Sequence, residues 1–216
     1  MTGLCIVDVC GTLVRDDTTL GLLEWHFRQS RRWRLWGLRL LASRRSPLRL
    51  AFVVAERISG RHLLKHFLVR WLNGDRPEDL ANSAKAYAGW LLSQRRIATV
   101  QGVLEGHAGP LVLASASLEP VVKSLADALG ARFVASTLEV QDGRYTGRYR
   151  QDLTGAKAQA LQSNLGIESF GECVVISDNL TDHGLLESAG KVYVVLHKPS
   201  HRRRWAGLNA EYLDAC

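Results

Sequence analysis

Leu4-Cys5-Ile6-Val7-Asp8-Val9-Cys10-Gly11-Thr12-Leu13 is the stretch that decides the fold. Its first four residues form an unbroken apolar run, the pattern of a strand covered on both faces. One carboxylate, Asp8, then stands at the C-terminal end of that strand, followed by a Gly-Thr turn. In an open parallel sheet the carboxyl ends of the strands form the ligand-binding edge. An unpaired carboxylate is costly to bury there, so Asp8 predicts a cationic partner.

Working outward, strand signals stop for a long interval. Between about Asp16 and Gln101 the chain reads as several helices. Thr18-Thr19 are expected to cap the first, and Pro47 to interrupt or start another. Leu48 to Ile58 and His62 to Leu72 follow, and Arg76-Pro77-Glu78-Asp79 has the acids of a helix first turn. Alternation of strand and helix resumes after His107. Gly109 to Ala114 is a buried strand ending in Ser115-Ala116-Ser117, and Glu119 to Leu129 is a helix stopped by Gly130. Arg132 to Ala135 is a strand, and Thr137 to Tyr149 is a hairpin around Asp142-Gly143. The helix Lys157 to Leu165, the strand Cys173 to Ile176, a short helix through Leu186 and the strand Val192 to Leu196 complete the pattern. Strands separated by helices imply a parallel sheet with right-handed crossovers. The expected fold is therefore a doubly wound, Rossmann-like α/β sheet over residues 1–14 and 106–216. A helical cap over residues 15–105 is inserted after the first strand, well placed to lie over the mouth of the sheet.

Composition narrows the classes. The chain has 216 residues, 46% of them apolar, enough for a real core and too many for a disordered chain. No apolar run reaches the ~18 residues of a spanning helix, and no basic-then-apolar leader opens the sequence. Cys5, Cys10, Cys173 and Cys216 follow no metal or disulfide spacing, which predicts a reduced, cytoplasmic protein. The net charge of +7 points to anionic partners.

Four segment ends bring polar groups to one edge: Asp8, Ser115, Lys157, and Asp178 with Asp182. Converging carboxylates favour a hard divalent cation with oxygen ligands, and Mg2+ is the expected one. A hydroxyl and an ammonium suit the non-bridging oxygens of a phosphoryl group. A carboxylate beside them can act as nucleophile, through an aspartyl-phosphate.

With those residues in order, the chain resembles the haloacid dehalogenase superfamily, in its phosphoserine-phosphatase-like branch. Asp8-Val9-Cys10-Gly11-Thr12-Leu13 is similar to the first family motif, Ser115-Ala116-Ser117 to the second, Gly155-Ala156-Lys157 to the third, and Ser177-Asp178-Asn179-Leu180-Thr181-Asp182 to the fourth. The resemblance implies a Mg2+-dependent phosphatase acting on a small or lipid-linked phosphomonoester. It makes Asp8 the nucleophile and a metal ligand, with the Cys10 carbonyl and Asp178 as further ligands. Asp182 would act on the metal through water or orient Lys157. Ser115, Ala116, Lys157 and Asn179 would hold the substrate.

One position departs from the family pattern. Its phosphatases usually carry a second aspartate two residues after the nucleophile, to protonate the leaving group and then activate water; here that residue is Cys10. A thiol is a weak donor and mostly un-ionised at neutral pH, and loss of general acid–base help costs ~10²–10⁴-fold in rate. Slow hydrolysis, phosphoryl transfer to an acceptor other than water, and a catalytically silent phosphate-binding or membrane-surface protein all fit.

Other features carry weaker signals. From Trp25 to Ala55 there are eight arginines and no acid, with Trp25, Trp33 and Trp36 among them. A solvated basic face on a helix hairpin is the plain reading, and an anionic membrane surface the sharper one. Nucleic acid is not expected, because no binding motif accompanies the charge. His201-Arg202-Arg203-Arg204-Trp205 reads as a solvated tail, with a second membrane contact as the alternative. Cys5 and Cys173 read as core residues, His183 as a surface group, the His62/His66 pair as no metal site, and Ser177 as tolerated turn chemistry.

Overall fold

The computed structural model of the chain describes residues 3–30, 32–42 and 63–215. Its seven strands form one sheet: β1 Cys5–Val7, β2 Leu111–Leu118, β3 Arg132–Gln141, β4 Arg144–Gln151, β5 Val174–Ser177, β6 Lys191–Leu196 and β7 Glu211–Asp214. The order is β4-β3-β2-β1-β5-β6-β7. Only β3 and β4 pair antiparallel.

The apolar run at the start of the chain forms the middle strand, with Val7 level with Leu113 on β2 and Ile176 on β5. Alternate side chains enter different cores, as strand geometry requires. Cys5, Val7, Leu113 and Ile176 join one apolar cluster, whereas Ile6, Val112, Ala114 and Val175 join the other. Both faces of the sheet are thus covered, and the carboxyl edge of its strands is open to polar groups. The chain runs outward from β1 in both directions, which makes the gap above β1 and β5 a topological switch point.

The inserted segment leaves and returns at one place. Arg15 donates its N–H to the Arg95 carbonyl at 2.8 Å, Ile97 to the Leu13 carbonyl at 3.2 Å, and Val14 bridges to Arg96. Between these points lie the helices Thr18–Ser30, Arg32–Ala42, Leu63–Val69 and Pro77–Gln94. The last begins with Pro77 and carries Glu78 and Asp79 in its first turn, as expected. The next helix, Ala98–Glu105, lies beside β7, where Thr99 donates its hydroxyl to the Asp214 carbonyl at 2.8 Å. Residues 47–58, which hold the expected Pro47 break and the Leu48–Ile58 helix, lie outside the described residues. His62 lies outside them too.

Several local expectations need correction. The N-terminal cap of the first inserted helix is Asp17, whose Oδ1 accepts the Leu20 N–H at 3.0 Å, rather than Thr18 or Thr19. A carboxylate at that position offers a charged acceptor to a free N–H. β2 does not stop before Ser115 but runs through to Leu118, with a shift of register against β3 between Ala114 and Leu118. β7 carried no apolar signal because it is an edge strand with two exposed ends, Glu211 and Asp214. The expected solvated tail is a folded 3-10 segment, Pro199–Trp205. Trp205 is buried in the second core and stacks on His183, so it has no surface to offer a membrane. The hairpin turn falls on Asp142-Gly143 with φ of 50° and 71°, the left-handed pair that an Asp-Gly turn supplies.

Candidate active site

Asp8 leaves β1 at its carboxyl end and is buried. Its N–H still pairs with the Ile176 carbonyl at 2.9 Å, which fixes the residue at the edge of the sheet. Its Oδ1 takes the Val9 N–H at 2.7 Å and Lys157 Nζ at 2.8 Å. Lys157 comes from the first residue of the helix Lys157–Leu165 and also reaches Asp182 Oδ2 at 2.7 Å. That oxygen accepts the Ser177 hydroxyl at 2.7 Å, while Ser177 Oγ takes the Asn179 N–H at 3.1 Å. Ser177 therefore organises the loop after β5, a larger role than the tolerated turn chemistry its sequence position suggests.

Asp178 is held separately. Thr12 donates its hydroxyl to Asp178 Oδ1 at 2.9 Å and accepts the Asp178 N–H at 3.0 Å. His197, just after β6, places Nε2 at 3.1 Å from Asp178 Oδ2 and at 2.8 Å from the Gly11 carbonyl. Gly11 has φ of 72°, and a side chain there would run into the Asp178 carboxylate. Glycine is needed at this position for both reasons. His197 was not singled out from sequence, because one histidine after an apolar strand carries no spacing signal.

Ser115 is buried, its Oγ accepting the Ser117 N–H at 3.2 Å. The Ala116 carbonyl accepts Lys65 Nζ at 2.6 Å and Ser136 Oγ at 2.8 Å. Lys65 belongs to the inserted helix Leu63–Val69 and also binds Asp152 Oδ1 at 2.8 Å and Thr154 Oγ1 at 3.2 Å. Its three protons thus fasten the inserted helices to β2 and to the loop after β4. Asn179 Oδ1 accepts the Thr181 N–H at 3.1 Å and caps the short turn ahead of Asp182.

The thiol at position 10 sits among hydroxyls. Cys10 Sγ lies 2.9 Å from both Thr18 Oγ1 and Ser117 Oγ. Burial pushes it up to about 11, and the negative charges of Asp17 and Asp8 add to the effect. It is a thiol, not a thiolate, at neutral pH.

These groups line a cavity of about 780 Å³, in the size range of small-molecule sites. Asp8, Ser115, Lys157 and Asp178 lie at its polar end, with Leu20, Leu64 and Leu68 from the inserted helices as an apolar wall. Arg15 and Arg204 also line it, and Arg204 was hidden in sequence inside an apparently plain basic run.

Charge balance tests the fit of a divalent cation. Three carboxylates, Asp8, Asp178 and Asp182, lie near the ammonium of Lys157, while Lys65, Arg15 and Arg204 line the cavity further off. Burial raises Asp8 to about 7, with Lys157 pulling it down and Asp182 and Asp178 pushing it up. Burial also raises Asp178, against the hydrogen bonds from Thr12 and His197. Burial opposes the charge on Lys157, but Asp8 and Asp182 outweigh it and hold the ammonium above its usual range. Around Lys157 the carboxylates, hard oxygen donors, outnumber the ammonium, the condition that an added cation relieves. Among the described residues, no group of three or more His, Cys, Asp or Glu side chains surrounds one point. A set of two carboxylates and a backbone carbonyl needs no such cluster.

An α/β sheet whose switch point gathers a lysine-bound aspartate, a buried serine on β2 and a second acidic loop has the groups that phosphoryl chemistry needs. Comparison agrees: a family model described as haloacid dehalogenase-like hydrolase matches residues 5–187. The chain belongs to that family of hydrolases. A search of curated proteins returned no match. Among solved structures, a protein of unknown function from Bordetella pertussis Tohama I is similar over 100% of both chains, with TM-score 0.77 and 20% identity. A phospho-aspartyl intermediate analogue of phosphoserine phosphatase aligns over 100% of this chain and 94% of its own, with TM-score 0.61 and 16% identity. A cytosolic 5'-nucleotidase IIIB bound to cytidine aligns over 98% and 80%, with TM-score 0.60 and 10% identity. At these identities the likeness is one of fold.

Proposed function

We propose that the chain hydrolyses a small phosphomonoester through a phosphoenzyme on Asp8. The observation that carries this reading is the double contact of Lys157 with Asp8 and Asp182, 2.8 and 2.7 Å, at the base of the cavity. Asp8 Oδ1 is occupied by Lys157 and the Val9 N–H, so we assign attack to Oδ2. The Asp8 oxygen bonds to phosphorus, the ester P–O bond breaks, and the leaving alkoxide takes its proton from solvent water. Water then takes the phosphoryl group, releasing inorganic phosphate and the free carboxylate.

Asp8, Asp178 and the Cys10 carbonyl would hold Mg2+. Bound there, it would neutralise the phosphoryl charge. Asp182, engaged by Lys157 and Ser177, is assigned to orient the lysine. Ser115, the Ala116–Ser117 backbone of β2 and Lys157 would bind the non-bridging oxygens, and Asn179 would shape the opposite wall. The helices inserted between Arg15 and Arg95 would act as the cap, with Lys65 as a contact that closure uses. Their leucines favour an ester with an apolar portion, water-soluble or lipid-linked.

The raised thiol of Cys10 favours slow turnover, because the residue two after the nucleophile carries no carboxyl to protonate the leaving group. This supports a second reading, phosphoryl transfer to an acceptor alcohol from a long-lived phosphoenzyme. Phosphate release from a panel of soluble and lipid-linked phosphomonoesters with Mg2+, wild type against Asp8→Asn, tests the first. Turnover that survives Asp8→Asn would sink it. Phosphoenzyme that forms, but discharges only when alcohols are added, would decide for transfer.

A further inference from the structure

The helix Arg32–Ala42 buries one face and leaves an apolar stripe on the other. Leu35, Leu38 and Leu41 point into the core. Trp33, Trp36 and Leu40, spaced i, i+3 and i+7, lie on the opposite side and are 70%, 75% and 62% exposed. Residues at that spacing share one helix face. Three of the five large apolar side chains exposed among the described residues are therefore gathered here. Together they present roughly 400 Å² of apolar surface, as large as the biggest patch of an ordinary monomer.

The rim of the stripe is basic. Arg28 and Arg39 both turn to Glu24 Oε1, at 3.4 and 2.8 Å, so two guanidiniums share one carboxylate. Between Trp25 and Ala55 the sequence holds eight arginines and no Asp or Glu. Arg31, Arg44, Arg45 and Arg49 of that set lie outside the described residues. Tryptophan settles at the headgroup level of a bilayer, and arginine pairs with anionic headgroups there. No helix among the described residues is long and apolar enough to cross a membrane.

We propose that this face docks on an anionic lipid bilayer, with Trp33, Trp36 and Leu40 entering the interface and Arg28 and Arg39 on the headgroups. A second copy of the chain is the other possible occupant. A two-fold contact through this face would set arginines against arginines, which argues for lipid. The proposal is independent of the phosphatase reading, since none of these residues lines the catalytic cavity.

The test is flotation of the full chain with vesicles of phosphatidylcholine alone, or of phosphatidylcholine with phosphatidylglycerol, at low and high salt. The protein is expected to float with the anionic vesicles only, and to be released by salt. Trp33→Ser/Trp36→Ser/Leu40→Ser should lower the partition coefficient by about tenfold or more, with melting temperature and phosphatase activity on a soluble ester unchanged. Arg28→Gln/Arg39→Gln should weaken binding without touching the apolar stripe, and serves if the triple variant melts early. Absence of flotation at low salt overturns the proposal, as does equal binding to both vesicle types. A dimer in sedimentation velocity that the triple variant dissolves also overturns it, in favour of a second copy.

Discussion

Ser177 donates its hydroxyl to Asp182 Oδ2 at 2.7 Å, on the same oxygen that Lys157 reaches at 2.7 Å. Two donors on one buried oxygen leave the carboxylate little freedom, and the lysine stands where the carboxylate fixes it. Ser177 therefore positions Lys157 and does not itself line the cavity. Ser177→Ala should lower kcat by about tenfold, the worth of one hydrogen bond to a charged group, with KM nearly unchanged. Ser177→Thr, which keeps the hydroxyl, should restore most of the loss. An unchanged kcat in the alanine variant would remove Ser177 from the machinery.

Cys10→Asp tests the thiol directly. Thr18 Oγ1 and Ser117 Oγ, each 2.9 Å from Sγ, would become donors to the new carboxylate. Hydrolysis of the phosphoenzyme should accelerate by ~10²–10⁴-fold, the range for restored general acid–base help. Cys10→Ala should leave the slow rate nearly as it is, because a thiol this far from ionising contributes little. Rapid-quench measurement of phosphoenzyme decay separates the two variants. A tenfold or greater loss in Cys10→Ala would mean that the thiol itself takes part.

Much of this was legible in the chain because it rests on local signals. The apolar run into Asp8 encodes a strand covered on both faces, and Gly130 and Gly166 end their helices with φ of 63° and 68° as C-terminal glycines do. The Asp142-Gly143 turn and the helix that begins at Lys157 also follow from local chemistry. What was not legible depends on partners distant in sequence. Ser177 gains its role from Asp182 in a folded loop, His197 from Gly11 and Asp178, and Lys65 from Ala116 and Asp152. Trp205 looked like part of a basic tail because three arginines precede it, yet it fills a gap beside β5 and β6 that only tertiary packing reveals.

Lys65 predicts an acid-sensitive link between the inserted helices and the sheet. Burial opposes ionisation of Asp152, but the Lys65 and Thr154 hydrogen bonds outweigh it and hold the carboxyl below its usual value. A carboxyl depressed on folding contributes stability above its unfolded pKa of about 3.9. That contribution is lost as pH falls through the lower folded value. Lys65→Met should therefore cost about 1–3 kcal/mol at neutral pH, and the gap to wild type should close below pH ~4. Melting curves of both proteins across the acid range measure this. A gap that stays constant with pH would assign the loss to packing.

The buried group formed by His26, Arg34 and Asp75 gives the last prediction. Arg34 Nη1 lies 2.9 and 3.1 Å from the two Asp75 oxygens, and His26 Nε2 stands 3.5 Å from Asp75 Oδ2. His26 Nδ1 meets Ser83 Oγ at 2.9 Å. Three inserted helices and the turn after Arg70–Leu72 are thereby tied at one carboxylate. Removing that charge strands a buried guanidinium, so Asp75→Asn should destabilise the protein by about 3–5 kcal/mol. Replacing the pair together, Arg34→Met with Asp75→Leu, removes both desolvation costs and should recover most of that loss. Denaturant unfolding of the two variants decides the matter. A double variant as unstable as Asp75→Asn would mean that His26, not Arg34, is the partner the carboxylate chiefly serves.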